Sequence, residues 1–148
     1  MKEMTYIVKV EANCDKSWYV NGKRHREDGP ACEYASGSKF WYVNGELHRE
    51  DGPAMERANG SKFWYVNDKQ HRENGPACEY ASGSKSWYVN GEPHREDGPA
   101  IEWVNGDKFW YVNGKELTEK EFNERNKKTS CAGKVIVIDG KNYKLVAV

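Results

Sequence analysis

The sequence predicts a mainly β fold: stacked β-hairpin repeats that build one elongated sheet, with a short C-terminal capping helix and a terminal β-hairpin. Three observations predict it. Trp18, Trp41, Trp64, Trp87 and Trp110 stand 23 residues apart, and each opens a Trp-Tyr-Val-Asn tetrapeptide. A Gly-Pro pair and a Ser-Gly or Asn-Gly pair punctuate every complete copy at fixed offsets. Between them lie short aromatic and β-branched runs, which suit a pleated surface. A period of this length marks a repeat architecture, in which each unit buries its faces against its neighbours.

The elements follow in chain order. Tyr6-Ile7-Val8-Lys9-Val10 reads as an N-terminal strand that either caps the first repeat or pairs with the C-terminal hairpin. Complete copies run 18–40, 41–63, 64–86 and 87–109, and a fifth begins at Trp110 and breaks off near Leu117. Two strands per copy are predicted. One is Lys39 to Val43, ending at the Asn44-Gly45 turn; the other follows Gly52-Pro53 and covers Ala54 to about Arg57. A type I turn over Arg57 to Gly60, with Gly60 as a left-handed bulge, closes the hairpin. That register sets Ala54 opposite Trp64, Met55 opposite Phe63 and Glu56 opposite Lys62. Alternation then places Ala54, Glu56, Lys62, Trp64 and Val66 on one face and Met55, Arg57, Phe63 and Tyr65 on the other. In the fifth copy Thr118 with Glu121 forms a capping box, and Leu117 with Phe122 has the spacing of a hydrophobic staple, so a helix is expected from Glu119 to about Lys127. Val135 to Ile138, the turn Asp139-Gly140, and Tyr143 to Val148 read as the terminal hairpin. The organisation is therefore 1–17 N-terminal cap, 18–117 repeats, 118–128 helix and 129–148 hairpin.

Composition narrows the function classes. The 23 basic residues balance 23 acidic ones, which argues against a polybasic nucleic-acid or membrane surface. No run approaches the length that spans a bilayer, and residues 1–10 hold no signal-type apolar core, so a cytoplasmic protein is expected. Cys32 and Cys78 are in phase two copies apart, roughly 20 Å at two strands per copy, too far for a disulfide. Met55 and Ile101 fill the same position in other copies, so the thiols read as reduced packing residues. A bridge between Cys14 and Cys131 has no support in the spacing.

Trp41, Asn44-Gly45 and His48, followed by Asn59-Gly60-Ser61-Lys62, resemble the MORN family, whose units are also 23 residues long. The likeness covers roughly 18–117. Arg49-Glu50-Asp51 depart from the usual unit, and the longer His-Arg-Glu-Asp-Gly-Pro-Ala form is similar to MORN-like repeats of small proteins in tailed bacteriophages and giant viruses. The resemblance implies an extended β-sheet with a binding or scaffolding role and no chemistry of its own.

The residues themselves point the same way. His25, His48, His71 and His94 form a ladder about 10 Å per step, too widely spaced to share one zinc. Their expected partners, and those of Arg26, Arg49, Arg72 and Arg95, are the Glu-Asp-Gly loops. Pairs of the Glu27-Asp28 type, set in near-identical copies, lack the differentiated environments that acid–base catalysis needs. Neither a catalytic residue, a cofactor nor a metal is expected. Aromatics beside Lys could stack single-stranded nucleic acid, but balanced charge argues against it.

Specificity belongs where copies differ. The hairpin-end position reads Tyr34, Arg57, Tyr80, Trp103, the composition of an interface hot spot. The pair after the Asn-Gly turn reads Glu46-Leu47 in one copy and Lys69-Gln70 in the next. These eight residues are the candidate interaction surface. The expected function is a protein-binding module of phage type that binds and inhibits a host protein, such as a defence component. The rivals are a sponge for a nucleotide-like ligand and a structural virion protein. Homodimerisation through exposed sheet edges is compatible with each.

Overall fold

The Glu–Lys pairing read from the sequence forms the rungs of the observed ladder. The structure, a computed structural model, describes residues 5–10, 15–129, 135–138 and 141–144. Among these, twelve strands join in one antiparallel sheet. It runs from Ile7–Val10 and Lys16–Val20 through successive hairpins to Ile101–Glu102, Lys108–Val112 and Lys115–Leu117. Within a hairpin Met55 faces Phe63 and Glu56 faces Lys62. Between hairpins Phe40 faces Met55 and Lys39 faces Glu56. Glu and Lys therefore alternate along the whole row from Lys16 to Lys108. Opposite charges directly across a ladder add about 0.2–1 kcal/mol each and like charges subtract, so a one-residue slip is penalised at every rung.

The hairpin loop has the predicted form. The Gly60 N–H donates to Arg57 O (2.9 Å), the Arg57 N–H donates to Ser61 O (2.9 Å), and Gly60 has φ 90°. The strand before it is different. Instead of one run from Lys39 to Val43, Lys39–Phe40 stays in the long sheet while Tyr42–Val43 turns away and pairs with Glu46–Leu47 as a separate two-stranded rib. Trp41 stands at the bend. Its N–H donates to Ala54 O (2.8 Å) and its carbonyl accepts the His48 N–H (3.1 Å). The Trp64 N–H likewise goes to Ala77 O, so the predicted Ala54–Trp64 pair is corrected: the ladder stops at Phe63. The ribs Tyr65–Val66 with Lys69–Gln70 and Tyr88–Val89 with Glu92–Pro93 repeat the pattern. Each rib turns on an Asn in the left-handed region, such as Asn44 with φ 53° before Gly45 with φ 91°, as a type I′ turn demands.

Packing explains the alanine that does not vary: Ala31, Ala54, Ala77 and Ala100 have no exposed surface. Cys32 and Cys78, at the position that Met55 and Ile101 fill in other copies, have none either. Burial pushes the Cys78 thiol up to about 11, which keeps it protonated and inert.

The N-terminal alternative is resolved: Ile7–Val10 pairs with Lys16–Val20, Ile7 opposite Tyr19 and Val10 opposite Lys16, and so caps the first repeat. The chain divides into compact units at Glu116 and Leu117. In the second unit the helix spans Glu119–Thr129. Its capping box is formed: the Thr118 N–H donates to Glu121 Oε2 (2.8 Å) and the Glu121 N–H donates to Thr118 Oγ1 (3.2 Å). Phe122 is buried. Val135–Ile138 pairs with Lys141–Lys144 as the terminal hairpin; the predicted turn Asp139-Gly140, residues 145–148, Cys14 and Cys131 lie outside the described residues. Among the described residues no helix is long and apolar enough to cross a membrane.

Candidate interaction surface

The two faces of the repeat unit differ in how much of their chemistry the fold already uses. On the face that carries Trp, each Arg lies over the Trp of its own copy. The guanidinium carbon stands 4.3 Å from the ring centre for Arg26 on Trp18, 4.2 Å for Arg49 on Trp41, and 3.9 Å for both Arg72 on Trp64 and Arg95 on Trp87. The same guanidinium donates to a proline carbonyl of its loop, as Arg95 does to Pro99 O (3.1 Å). It also meets the ladder glutamate: Arg72 reaches Glu79 at 2.8 Å and Arg95 reaches Glu102 at 2.9 Å. Arg26 and Arg49 hold Asp28 and Asp51 at 2.8 Å, and those hydrogen bonds lower the two carboxyls below their ordinary range.

The histidines also serve the fold. Nδ1 of His25, His48, His71 and His94 accepts the backbone N–H of Asn44, Asn67, Asn90 and Asn113, at 3.0, 3.3, 3.1 and 3.0 Å. Each imidazole thus holds the left-handed turn of the following copy through Nδ1, a partner the sequence did not announce, while Nε2 faces the expected Glu-Asp-Gly loop. The glutamate two residues on lies 3.6–4.0 Å from Nε2, as in His25–Glu27 and His94–Glu96. Among the described residues no three His, Cys, Asp or Glu side chains gather as a metal site. Between successive loops this face opens into grooves of about 560–730 Å³, lined by Trp, His, Arg and acidic side chains. Their guanidiniums already bond within their own copies.

The opposite face is less committed. The hairpin-end row Tyr34, Arg57, Tyr80, Trp103 runs beside a second row, Phe40, Phe63, Ser86, Phe109, and the two interlock. Tyr34 meets Phe40 edge-on at 5.2 Å, Arg57 lies over Phe63 at 5.1 Å, and Phe63 meets Tyr80 edge-on at 5.4 Å. Tyr34 is half-buried and Arg57 exposed. Tyr80 keeps 42% of its surface in solvent and Trp103 keeps 56%, and Val104 and Phe109 nearby are exposed as well. Burial raises the phenols of Tyr80 and Tyr88 above their ordinary value.

The other candidates sit elsewhere. Glu46-Leu47 and Lys69-Gln70 are strands of the ribs, in sheets separate from the long one. The fold uses part of them: Leu47 donates its N–H to Asp68 Oδ1 (2.6 Å), and Gln70 donates from Nε2 to the Tyr65 hydroxyl (3.2 Å). The structure therefore groups Tyr34, Arg57, Tyr80 and Trp103 as one row along the long sheet and leaves the turn pairs on the ribs.

Sequence reasoning overlooked two sets of residues. Ser38, Ser61 and Ser84 accept the N–H of Ala58, Ala81 and Val104 in the next hairpin turn at 3.0–3.1 Å, and Asp15 does the same for Ala35 at 2.8 Å. The signal was a short polar acceptor at the same phase in every copy. Ser86, where three other copies carry Phe40, Phe63 and Phe109, was the second omission.

This geometry defines a β-repeat protein of stacked antiparallel hairpins, with Arg and His contacts within and between copies on one face and aromatic side chains left in solvent on the other. The chain matches no protein-family model, and no curated protein matches it.

Proposed function

We propose that this protein is a non-catalytic, MORN-like protein-binding module that engages its partner through the row Tyr34, Arg57, Tyr80 and Trp103. The observation that carries the reading is the exposure of Tyr80 and Trp103, 42% and 56%, on a face otherwise used for packing. Exposed aromatics at a position whose residue type differs from copy to copy are the composition of a hot spot. The Trp face favours no rival, because its Arg and His side chains are spent on the repeat itself. Resemblance to phage-type repeats makes a host protein the expected partner and inhibition the expected outcome, an inference by analogy of fold. The test is affinity capture from host lysate with wild type, Arg57→Ala and Trp103→Ala side by side. A protein retained by wild type and lost about tenfold or more from both variants, at unchanged melting temperature, supports the reading. Equal retention by all three refutes it.

A further inference from the structure

Phe63 shows what normally fills the second row. Its ring is 6% exposed and lies between two hairpin-end side chains, Arg57 of its own hairpin at 5.1 Å and Tyr80 of the next at 5.4 Å. The residue in the same register one copy later is Ser86, which faces Cys78 on one side and Ile101 on the other. Its own hairpin end is Tyr80 and the next is Trp103, so the ring missing at 86 would lie between them. The space it leaves is a slot of about 300 Å³ lined by Tyr80, Tyr88, Ile101 and Trp103 with Ser82, Ser84 and Ser86. An apolar cavity of roughly 150 Å³ holds a benzene ring, so this slot has room for a ring and the stem that carries it.

We infer that the slot is an anchor pocket for a neutral aromatic side chain, Phe or Tyr, presented by a protein partner. The inference rests on the protein-binding reading and deepens it. No charged side chain lines the slot, so it offers no ion pair to a phosphate or a carboxylate. Two aromatic walls, Tyr80 and Trp103, favour a ring over an aliphatic chain, because edge-on contacts like Phe63 with Tyr80 at 85° add to the area buried. The apolar surface also extends past the slot. Phe109 faces Ile101 in the ladder, and Val104, 68% exposed, stands where a Cβ added at Gly83 would meet its Cγ2 at 3.8 Å. A ring on a protein surface has a use for that margin; a free small molecule does not.

Filling the slot tests the idea. Ser86→Phe supplies from within the ring that Phe40, Phe63 and Phe109 supply elsewhere, and it should melt at or above the wild-type temperature. N-acetyl-L-phenylalaninamide titrated into wild type should shift the aromatic NMR signals of Trp103, Tyr80 and Tyr88. It should leave them unmoved in Ser86→Phe, and N-acetyl-L-leucinamide should act at least about fivefold more weakly. Shifts that persist in Ser86→Phe, that are equal for the leucine probe, or that are missing in wild type overturn the proposal. So does loss of the fold in Ser86→Phe, since the register would then lack room for a ring. Shifts of the same signals by adenosine and not by the phenylalanine probe would give the slot to a nucleobase instead. The two readings separate in the capture experiment. Partner lost from Trp103→Ala but kept by Ser86→Phe leaves the binding face standing and removes the slot; partner kept by both removes the face as well.

Discussion

A Cβ placed on Gly52 would lie 2.8 Å from Cζ of Arg49, whereas one on Gly60 would meet nothing within 4 Å. The two glycines recur in phase for different reasons. Gly60 is needed for its φ of 90°, which the Asn-Gly hairpin signal already implies. Gly52 is needed because the Arg49 guanidinium folds back over it on its way to Trp41, and no rule of turn chemistry announces that. Gly60→Ala should therefore cost about 1–2 kcal/mol of purely conformational strain, read as a lower urea midpoint with unchanged Trp fluorescence. Gly52→Ala displaces only the end of a flexible Arg side chain, so it should cost about 0.5–1 kcal/mol through the lost stack and also shift the fluorescence of Trp41, because the Arg must leave the ring. An unshifted spectrum would show that the stack survives. Ser61 belongs to the same scale. It is 4% exposed and accepts the Ala81 N–H at 3.0 Å. Ser61→Ala removes that hydrogen bond at about 0.5–1.5 kcal/mol, and hydrogen exchange at Ala81 should quicken relative to its neighbours.

At the level of the element, the hairpin was legible and the rib was not. Met55 opposite Phe63 and Glu56 opposite Lys62 follow from turn type and charge pattern. The run Lys-Phe-Trp-Tyr-Val has unbroken β propensity, so nothing local marks the departure at Trp41. The break is set by partners distant in sequence, the Ala54 carbonyl on one side and the His48 N–H on the other. The slot at Ser86 was hidden for a related reason: it requires the register between copies, which places Ser86 against Ile101, and not only the register within one. Two outcomes belong here. Trp64 is half-buried beneath Arg72 at 3.9 Å, so Trp64→Ala should cost about 3 kcal/mol, whereas Arg57→Ala, on an exposed hairpin end, should cost well under that. The phenols of Tyr80 and Tyr88 are raised above the ordinary 10.0 by burial. Their neutral form is thus favoured by the fold, and that contribution is fully present below the ordinary value and lost as pH climbs through the folded one. Phenolate absorbance of the native protein should rise at higher pH than that of the urea-unfolded chain, and coincident curves would count against the packing described.

Across the whole repeat array, every copy bonds to the next through the same three links: the Glu–Lys ladder, the serine clip and the histidine that holds an Asn turn. Stability in such an array is close to a sum of units and nearest-neighbour interfaces, which leads to a deletion that most globular domains would not survive. Removing residues 41–63 joins Phe40 to Trp64 at the same phase. Lys39 then faces Glu79 in place of Glu56, His25 finds Asn67 in place of Asn44, and Ser38 finds Ala81 in place of Ala58. All three links re-form with identical residue types. The shortened protein should fold, keep its β spectrum and unfold in one step, with a urea m-value lower by roughly a sixth, since 23 of 148 residues are gone. Removing 41–52 instead breaks the phase and should abolish the fold. Because Tyr80, Ser86 and Trp103 lie outside the deleted copy, binding by the proposed slot should survive the first deletion. Failure of the 41–63 deletion to fold, with wild type stable under the same conditions, would mean that the copies are not interchangeable and that the links named here do not carry the array.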